Sequence, residues 1–248
     1  MGVPQIGCDC AVCSSDDPRD RRTRTAALIQ SGQTAVLIDT PPEIRLQLLA
    51  ARVSRLDAVL YTHLHADHVH GIDDLRSISQ LNRAVLPLFG PPQTIAHLER
   101  SFDYIFNDGV IPVPGTSKPR LAAHAIEADT SFTIGNVEVL PLEFEHGAAQ
   151  VFGYRVGEIG YLTDVKRVSP HAIASLRGVK VLVLNALWWR QHPTHLSIEE
   201  AVEVAGAIGA DRTFLTHLTH ETSHRDLLAR LPAGIEPGYD GLVVEAGG

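Results

Sequence analysis

Four residues able to bind a metal stand within six positions, His63-Leu64-His65-Ala66-Asp67-His68, directly behind the apolar run Ala58–Thr62. At an extended strand end, residues i and i+2 point the same way, so His63 and His65 can grip one ion together. A turn toward a helix then presents Asp67 and His68 to a second position. Imidazole nitrogens with a carboxylate suit Zn²⁺, and also Mn²⁺ or Fe²⁺. A histidine-rich surface turn accounts for one or two such residues but not for four behind a buried strand. Two ions need further ligands. His146 ends the run Val137–Glu145, Asp164 follows Tyr161-Leu162-Thr163, and His217 follows Phe214-Leu215-Thr216. Each stands just past an apolar run, where open α/β sheets collect their sites.

The remaining chain alternates short β-branched runs with helical ones. Expected strands are Ala26–Gln30 and Ala35–Asp39 around a Ser-Gly-Gln-Thr turn, then Ala58–Thr62, Ala122–Ala128, Val137–Phe144, Phe152–Val156, Gly160–Leu162, Val179–Leu184, Arg212–Thr216 and Leu242–Glu245. Expected helices are Pro42–Ala51, Asp73–Asn82, Thr94–Phe106, Ile198–Ile208 and His224–Arg230. Asn107–Arg120, with two glycines and three prolines, reads as a loop. This is a layered α/β pattern, sheet on sheet with helices outside. A single domain over residues 1–248 is expected, residues 1–25 forming a cysteine-bearing N-terminal segment. A net charge of −8 argues against holding nucleic acid by a general basic surface. No apolar run reaches the ~20 residues of a membrane span and MGVPQIGCDC is not a signal peptide, so a cytoplasmic protein without a membrane partner is expected. The basic run Arg19, Arg21, Arg22 and Arg24 reads as solvated surface or a phosphate-steering patch. Trp188-Trp189-Arg190 reads as core or as the wall of a base or sugar pocket.

Three cysteines, Cys8, Cys10 and Cys13, make a CxCxxC cluster that can fill three corners of a structural zinc tetrahedron. His220, three residues after His217, is the candidate for the fourth.

The run THLHADH resembles the HxHxDH signature of the metallo-β-lactamase fold superfamily, and the later His, Asp and His come in the matching order. That resemblance implies an αββα sandwich with a dinuclear site at one edge. It implies that His63, His65 and His146 hold one divalent ion and Asp67, His68 and His217 the other, with Asp164 bridging. Asp39 matches the superfamily's strand-end aspartate, read either as a partner for a metal-bound imidazole or as an N-cap for the Pro41-Pro42 segment. GVPQIGCDCAVC resembles the branch that includes the phosphoribosyl cyclic phosphodiesterase of the carbon–phosphorus lyase pathway. In that branch a catalytic histidine follows a strand. His195, in Pro-Thr-His-Leu-Ser ahead of the helix at Ile198, matches it better than His192. Relatives carry a first strand before GVP, so a sheet edge lacking that strand is one expectation for this chain.

The resemblance implies a metal-dependent hydrolase in which hydroxide generated between two Zn, Mn or Fe ions attacks the phosphorus of a small cyclic or linear phosphodiester. His195 would protonate the leaving oxygen and Asp67 would serve as an active-site ligand. One structural zinc would sit on Cys8, Cys10, Cys13 and His220. The alternatives are a thiolester or other ester hydrolase of the same fold, or a non-catalytic protein of the pyrroloquinoline quinone branch; the intact THLHADH favours an enzyme. The expected partner is a small phosphodiester. Nucleic acid is left open but not favoured, and a homodimer is left open.

Overall fold

The computed structural model describes residues 2–147 and 149–246. They divide into two compact units, Thr25–Pro141 and the pair of segments Met1–Arg24 with Leu142–Gly248.

The first unit is built on a five-stranded sheet. The hairpin β1 (Ala27–Ser31) and β2 (Thr34–Ile38) is antiparallel, Ser31 opposite Thr34. Helix α1 (Ile44–Ala50) leads to β3 (Ala58–Leu60), parallel to β2. The short α2 (Ala66–Val69) follows, then α3 (Leu75–Leu81) and β4 (Leu86–Gly90). After α4 (Pro92–Ser101) and α5 (Asp103–Phe106), β5 (Leu121–Ala125) closes the sheet in the order β1-β2-β3-β4-β5. Leu37, Val59, Tyr61, Leu86 and Leu88 meet Ile44, Val69, Ile72, Leu75, Ile78 and Leu98 in one core between strands and helices. A hairpin of β6 (Phe132–Ile134) and the start of β7 (Val137–His146) completes the unit; β7 itself carries the chain across the division at Pro141.

In the second unit the end of β7 is followed by β8 (Ala149–Val156) and β9 (Ile159–Leu162), an antiparallel pair. Beyond α6 (Pro170–Leu176), β10 (Val181–Asn185) lies parallel to β9. Helix α7 (Ile198–Ile208), β11 (Arg212–Thr216), α8 (His224–Arg230) and β12 (Ile235–Pro237) extend the sheet in parallel, in the order β12-β11-β10-β9-β8-β7. Ser197 and Glu200 close a reciprocal capping box on α7, and Gly209 ends the helix with φ 73°. Among the described residues no helix is long and apolar enough to cross a membrane.

Most expected elements stand within a residue or two. Leu242–Glu245 is a correction, because those residues form no strand. Strands β4 and β12 each contain a proline, which argues against a ladder position, and both were hidden for that reason. Arg22 also departs from the solvated reading of its run. It is 8% exposed, bridges by its backbone to Val3, and donates from Nε to the Gly238 carbonyl at 3.4 Å.

Gly71 shows how tightly the turn behind α2 is closed. Its N–H donates to the Thr40 carbonyl at 2.8 Å, and a Cβ there would fall onto the Pro41 carbonyl oxygen and the Ile44 side chain. The obstacle includes backbone, which cannot swing aside. Gly71→Ala is therefore expected to destabilise the protein by about 2–3 kcal/mol, at the upper end of overpacking costs. Denaturant unfolding checks this; an unchanged midpoint would mean that the turn yields freely.

Candidate metal centre

Two clusters of ligand-type side chains stand at strand ends, one in each unit. In the first unit, β2 stops at Asp39, which takes up φ 63°. Aspartate tolerates this left-handed conformation better than most residues. Its carboxylate is fully buried and fully used. Oδ1 accepts from the Thr62 N–H at 2.8 Å, and Oδ2 lies 2.8 Å from Thr62 Oγ1 and 2.7 Å from His68 Nδ1. This settles its role as the orienting partner of His68. It is not a cap for α1, whose N-cap is Glu43. Burial drives the Asp39 carboxyl upward, while His68 and the Thr62 bonds oppose that shift. With Nδ1 held by Asp39, a metal role for His68 would fall to Nε2.

The end of β3 delivers His63, which is fully buried, with Thr62 Oγ1 3.0 Å from its Nδ1. His63 Nε2 and His65 Nδ1 are 3.0 Å apart, close to the ~3.3 Å edge of a tetrahedron built on zinc–nitrogen bonds of ~2.0–2.1 Å. The His63 ring centroid lies 4.6 Å from that of His65 and 4.3 Å from that of His68. His65 is the N-cap of α2, so Asp67 and His68 fall in its first turn as the motif requires.

In the second unit β7 ends on the buried His146, whose Nδ1 donates to the Thr194 carbonyl at 3.0 Å. Asp164 follows β9 with φ 57° and His217 follows β11 with φ 58°, so both strands end on left-handed non-glycine residues. The Asp164 carboxylate is nearly buried. Thr163 Oγ1 donates to Oδ2 at 2.7 Å, while His195 Nε2 and His217 Nε2 lie 2.9 Å and 3.2 Å from Oδ1. Donor atoms of His146, Asp164 and His195 all lie within 4.8 Å of one another. His195 therefore shares a carboxylate with a predicted ligand, and its ring stacks on that of His217 with centroids 4.9 Å apart.

The three cysteines and His220 come together in the second unit. Ligand atoms of Cys8, Cys10, Cys13 and His220 lie within 4.8 Å of one another, with His220 Nδ1 3.5 Å from Cys8 Sγ and 3.3 Å from Cys10 Sγ. The backbone N–H of Cys13 and the His220 side chain lower the Cys10 thiol to about 6, whereas burial raises Cys13 to about 11. A thiol poised to ionise beside an imidazole suits a soft-metal tetrahedron.

The tryptophans belong to the loop that carries His195. Arg190 lies over Trp188 at 3.7 Å and pairs with Glu221 at 2.6 Å. Trp189 Nε1 donates to Thr222 at 3.1 Å beneath Arg230. Sequence reasoning missed Thr194 and set His192 aside. Neither carries a strand-end signal, and their bonds form only when the loop folds back to pair Leu187 with Leu196.

Comparison with known proteins places these features. The family model of the beta-lactamase superfamily domain matches residues 34–218. The octanoyltransferase of Porphyromonas gingivalis (strain ATCC BAA-308 / W83) is 39% identical over 244 residues, 97% of this chain and 48% of that protein. Ribonuclease Z of Bradyrhizobium sp. (strain ORS 278) is 36% identical over 125 residues, 49% of this chain and 41% of that protein. The chain thus spans about half the length of these curated relatives or less. A crystal structure of a new diphosphatase from the PhnP family is 37% identical, with a TM-score of 0.89 over 98% of this chain and 91% of that one. The mixed α/β architecture, two sheets with helices, is the metallo-β-lactamase fold.

Proposed function

The chain belongs to the beta-lactamase superfamily and, within it, to the PhnP family, and from that premise we propose that it is a dinuclear metal-dependent hydrolase of a small phosphodiester or diphosphate. The donor sets fit the metals that the fold implies. His68 and His146 have Nδ1 committed to Asp39 and to the Thr194 carbonyl, so that a metal would be met by Nε2. In this reading His63, His65 and His146 hold one ion, Asp67, His68 and His217 hold the other, and Asp164 is shared. The ions, when bound, acidify water and neutralise charge on phosphoryl oxygens.

One observation carries the choice of phosphorus chemistry. His195, which the ligand scheme does not require, stands with Nε2 2.9 Å from Asp164 Oδ1, placed to donate from that nitrogen. In the proposed reaction water oxygen bonds to phosphorus and the bond to the leaving oxygen breaks. That oxygen takes the Nε2 proton of His195, and the proton lost by water goes to solvent. An alkoxide or phosphate leaving group needs such a donor. The diphosphatase of the PhnP family and ribonuclease Z are named for cleaving phosphorus–oxygen links, which supports the reading. The name octanoyltransferase supplies the competing reading, an acyl ester or thioester substrate.

Turnover of the metal-loaded protein on 2′,3′-cyclic AMP, a dinucleoside diphosphate, a linear diester and an octanoyl thioester separates these. Hydrolysis of at least one phosphorus substrate is expected; thioester turnover alone would overturn the proposal. For the Cys8, Cys10, Cys13 and His220 cluster, Cys10→Ser is expected to remove one zinc equivalent per chain and leave the other metals bound. Metal analysis by plasma emission checks it, and an unchanged zinc count would dismiss the structural site.

A further inference from the structure

We infer that Thr194 and His192 are positioning residues that anchor the Nδ1–H side of His195, so that the proton its Nε2 gives up is aimed at the reacting group. The inference rests on the proposed role of His195, and its basis is a closed set of hydrogen bonds in the loop between β10 and α7. The Thr194 backbone N–H lies 3.3 Å from His192 Nδ1. A backbone amide can only donate, so His192 Nδ1 is an acceptor and bears no proton. His195 Nδ1 lies 3.1 Å from that same nitrogen. Two bare nitrogens at this distance would set lone pair against lone pair, so the proton between them belongs to His195. Thr194 Oγ1 completes the triangle, 3.2 Å from His192 Nδ1 and 3.0 Å from His195 Nδ1. A hydroxyl both donates and accepts. Here it accepts from His195 Nδ1–H, since the single lone pair of His192 Nδ1 is already engaged by the Thr194 N–H and the His195 proton. The opposite orientation, with the hydroxyl donating to His195, would again leave both imidazole nitrogens bare.

His192 is well placed for a fixed acceptor. Partial burial, with the His195 and His146 imidazoles beside it, holds it below the ordinary imidazole range. Its ring stands edge-on to Trp188 at 5.3 Å, and Trp188 is covered in turn by Arg190. Backbone bonds from Leu187 N–H to the Leu196 carbonyl and from Ile198 N–H to the Trp188 carbonyl close the loop around the pair. Thr194 has a second duty, because its carbonyl accepts from His146 Nδ1 at 3.0 Å. A single residue thus orients a candidate metal ligand through its backbone and the candidate proton donor through its side chain. Substitution of the side chain separates the two duties.

The test uses the zinc-loaded protein and its Thr194→Val, Thr194→Ser and His192→Phe variants. Turnover is compared on 2′,3′-cyclic AMP, whose leaving alkoxide needs a proton, and on bis(4-nitrophenyl) phosphate, whose leaving phenolate does not. For Thr194→Val and His192→Phe, kcat on the cyclic nucleotide is expected to fall at least tenfold further than on the nitrophenyl ester, with KM changed little. Thr194→Ser should restore most of the loss, and zinc content should match the wild type. Independently of activity, ¹⁵N NMR of the wild type should report a proton on His195 Nδ1, and that signature should be lost in His192→Phe. Equal losses on both substrates, or loss of zinc, would reduce these residues to structural supports and overturn the inference, as would a wild-type His195 that carries no proton on Nδ1. A wild type that cleaves no phosphorus ester would instead refute the proposed function, while the NMR measurement would still decide whether Nδ1 is held.

Discussion

Asp164→Asn is expected to abolish hydrolysis and strip metal from the protein while leaving its fold intact. Asparagine is the informative replacement because Asp164 sits at φ 57°, a conformation that asparagine accepts about as readily as aspartate. It also keeps the shape of the side chain against Thr163 Oγ1. What disappears is the negative charge against which His195 Nε2 and His217 Nε2 lie at 2.9 Å and 3.2 Å. A neutral amide is a poor ligand for a divalent ion that needs anionic oxygen. If the shared ion stabilises transition-state charge by several kcal/mol, its loss lowers kcat by about 10³-fold or more. Metal analysis should show fewer equivalents in the two-ion site, with the zinc of the cysteine cluster retained and the unfolding midpoint of the metal-free protein near that of the wild type. Full activity with every metal retained would remove Asp164 from the ligand set and with it the idea of a shared carboxylate. Asp164→Ala gives the control for backbone strain, because alanine at this φ costs about 1–2 kcal/mol where asparagine does not.

Which residues could be read in advance follows from how each is encoded. His63, His65, Asp67 and His68 are local, and the alternation of a strand end followed by a helical turn fixes where they point. His146, Asp164 and His217 were legible because each ends an apolar run, and β7, β9 and β11 do stop there. His220 was found by counting tetrahedral corners. The left-handed turns at Asp39, Asp164 and His217 were not legible, since no glycine announces them. Nor was the choice between two roles for Asp39, which depends on His68 returning 29 residues later to within 2.7 Å of its carboxylate. Thr194 and His192 failed for a related reason. Their partners are a carbonyl, an amide and two imidazoles brought together by loop closure, and composition or period contains no trace of that closure. Strands β4 and β12 were concealed by Pro87 and Pro237, which local propensity counts against a strand and the sheets nonetheless accommodate.

His195→Ala should separate chemistry from metal binding more sharply than any other change. The side chain offers Nε2 toward Asp164 and is anchored on its far side by Thr194 and His192, so truncation removes a proton donor without touching the imidazoles whose Nδ1 atoms are held by Asp39 and the Thr194 carbonyl. On 2′,3′-cyclic AMP kcat is expected to fall by about 10²–10⁴-fold, the range for loss of a positioned general acid. On bis(4-nitrophenyl) phosphate the loss should be far smaller, because the phenolate departs without protonation. Metal content should equal that of the wild type, in contrast to Asp164→Asn. The ligand-atom distances make the opposite outcome a real alternative, since donor atoms of His146, Asp164 and His195 lie within 4.8 Å of one another. Parallel loss of metal and of turnover on both esters would make His195 a ligand and leave the leaving oxygen to be protonated by water. Retained metal with a loss confined to the poor leaving group would instead make this histidine the residue that suits the site to unactivated phosphorus esters.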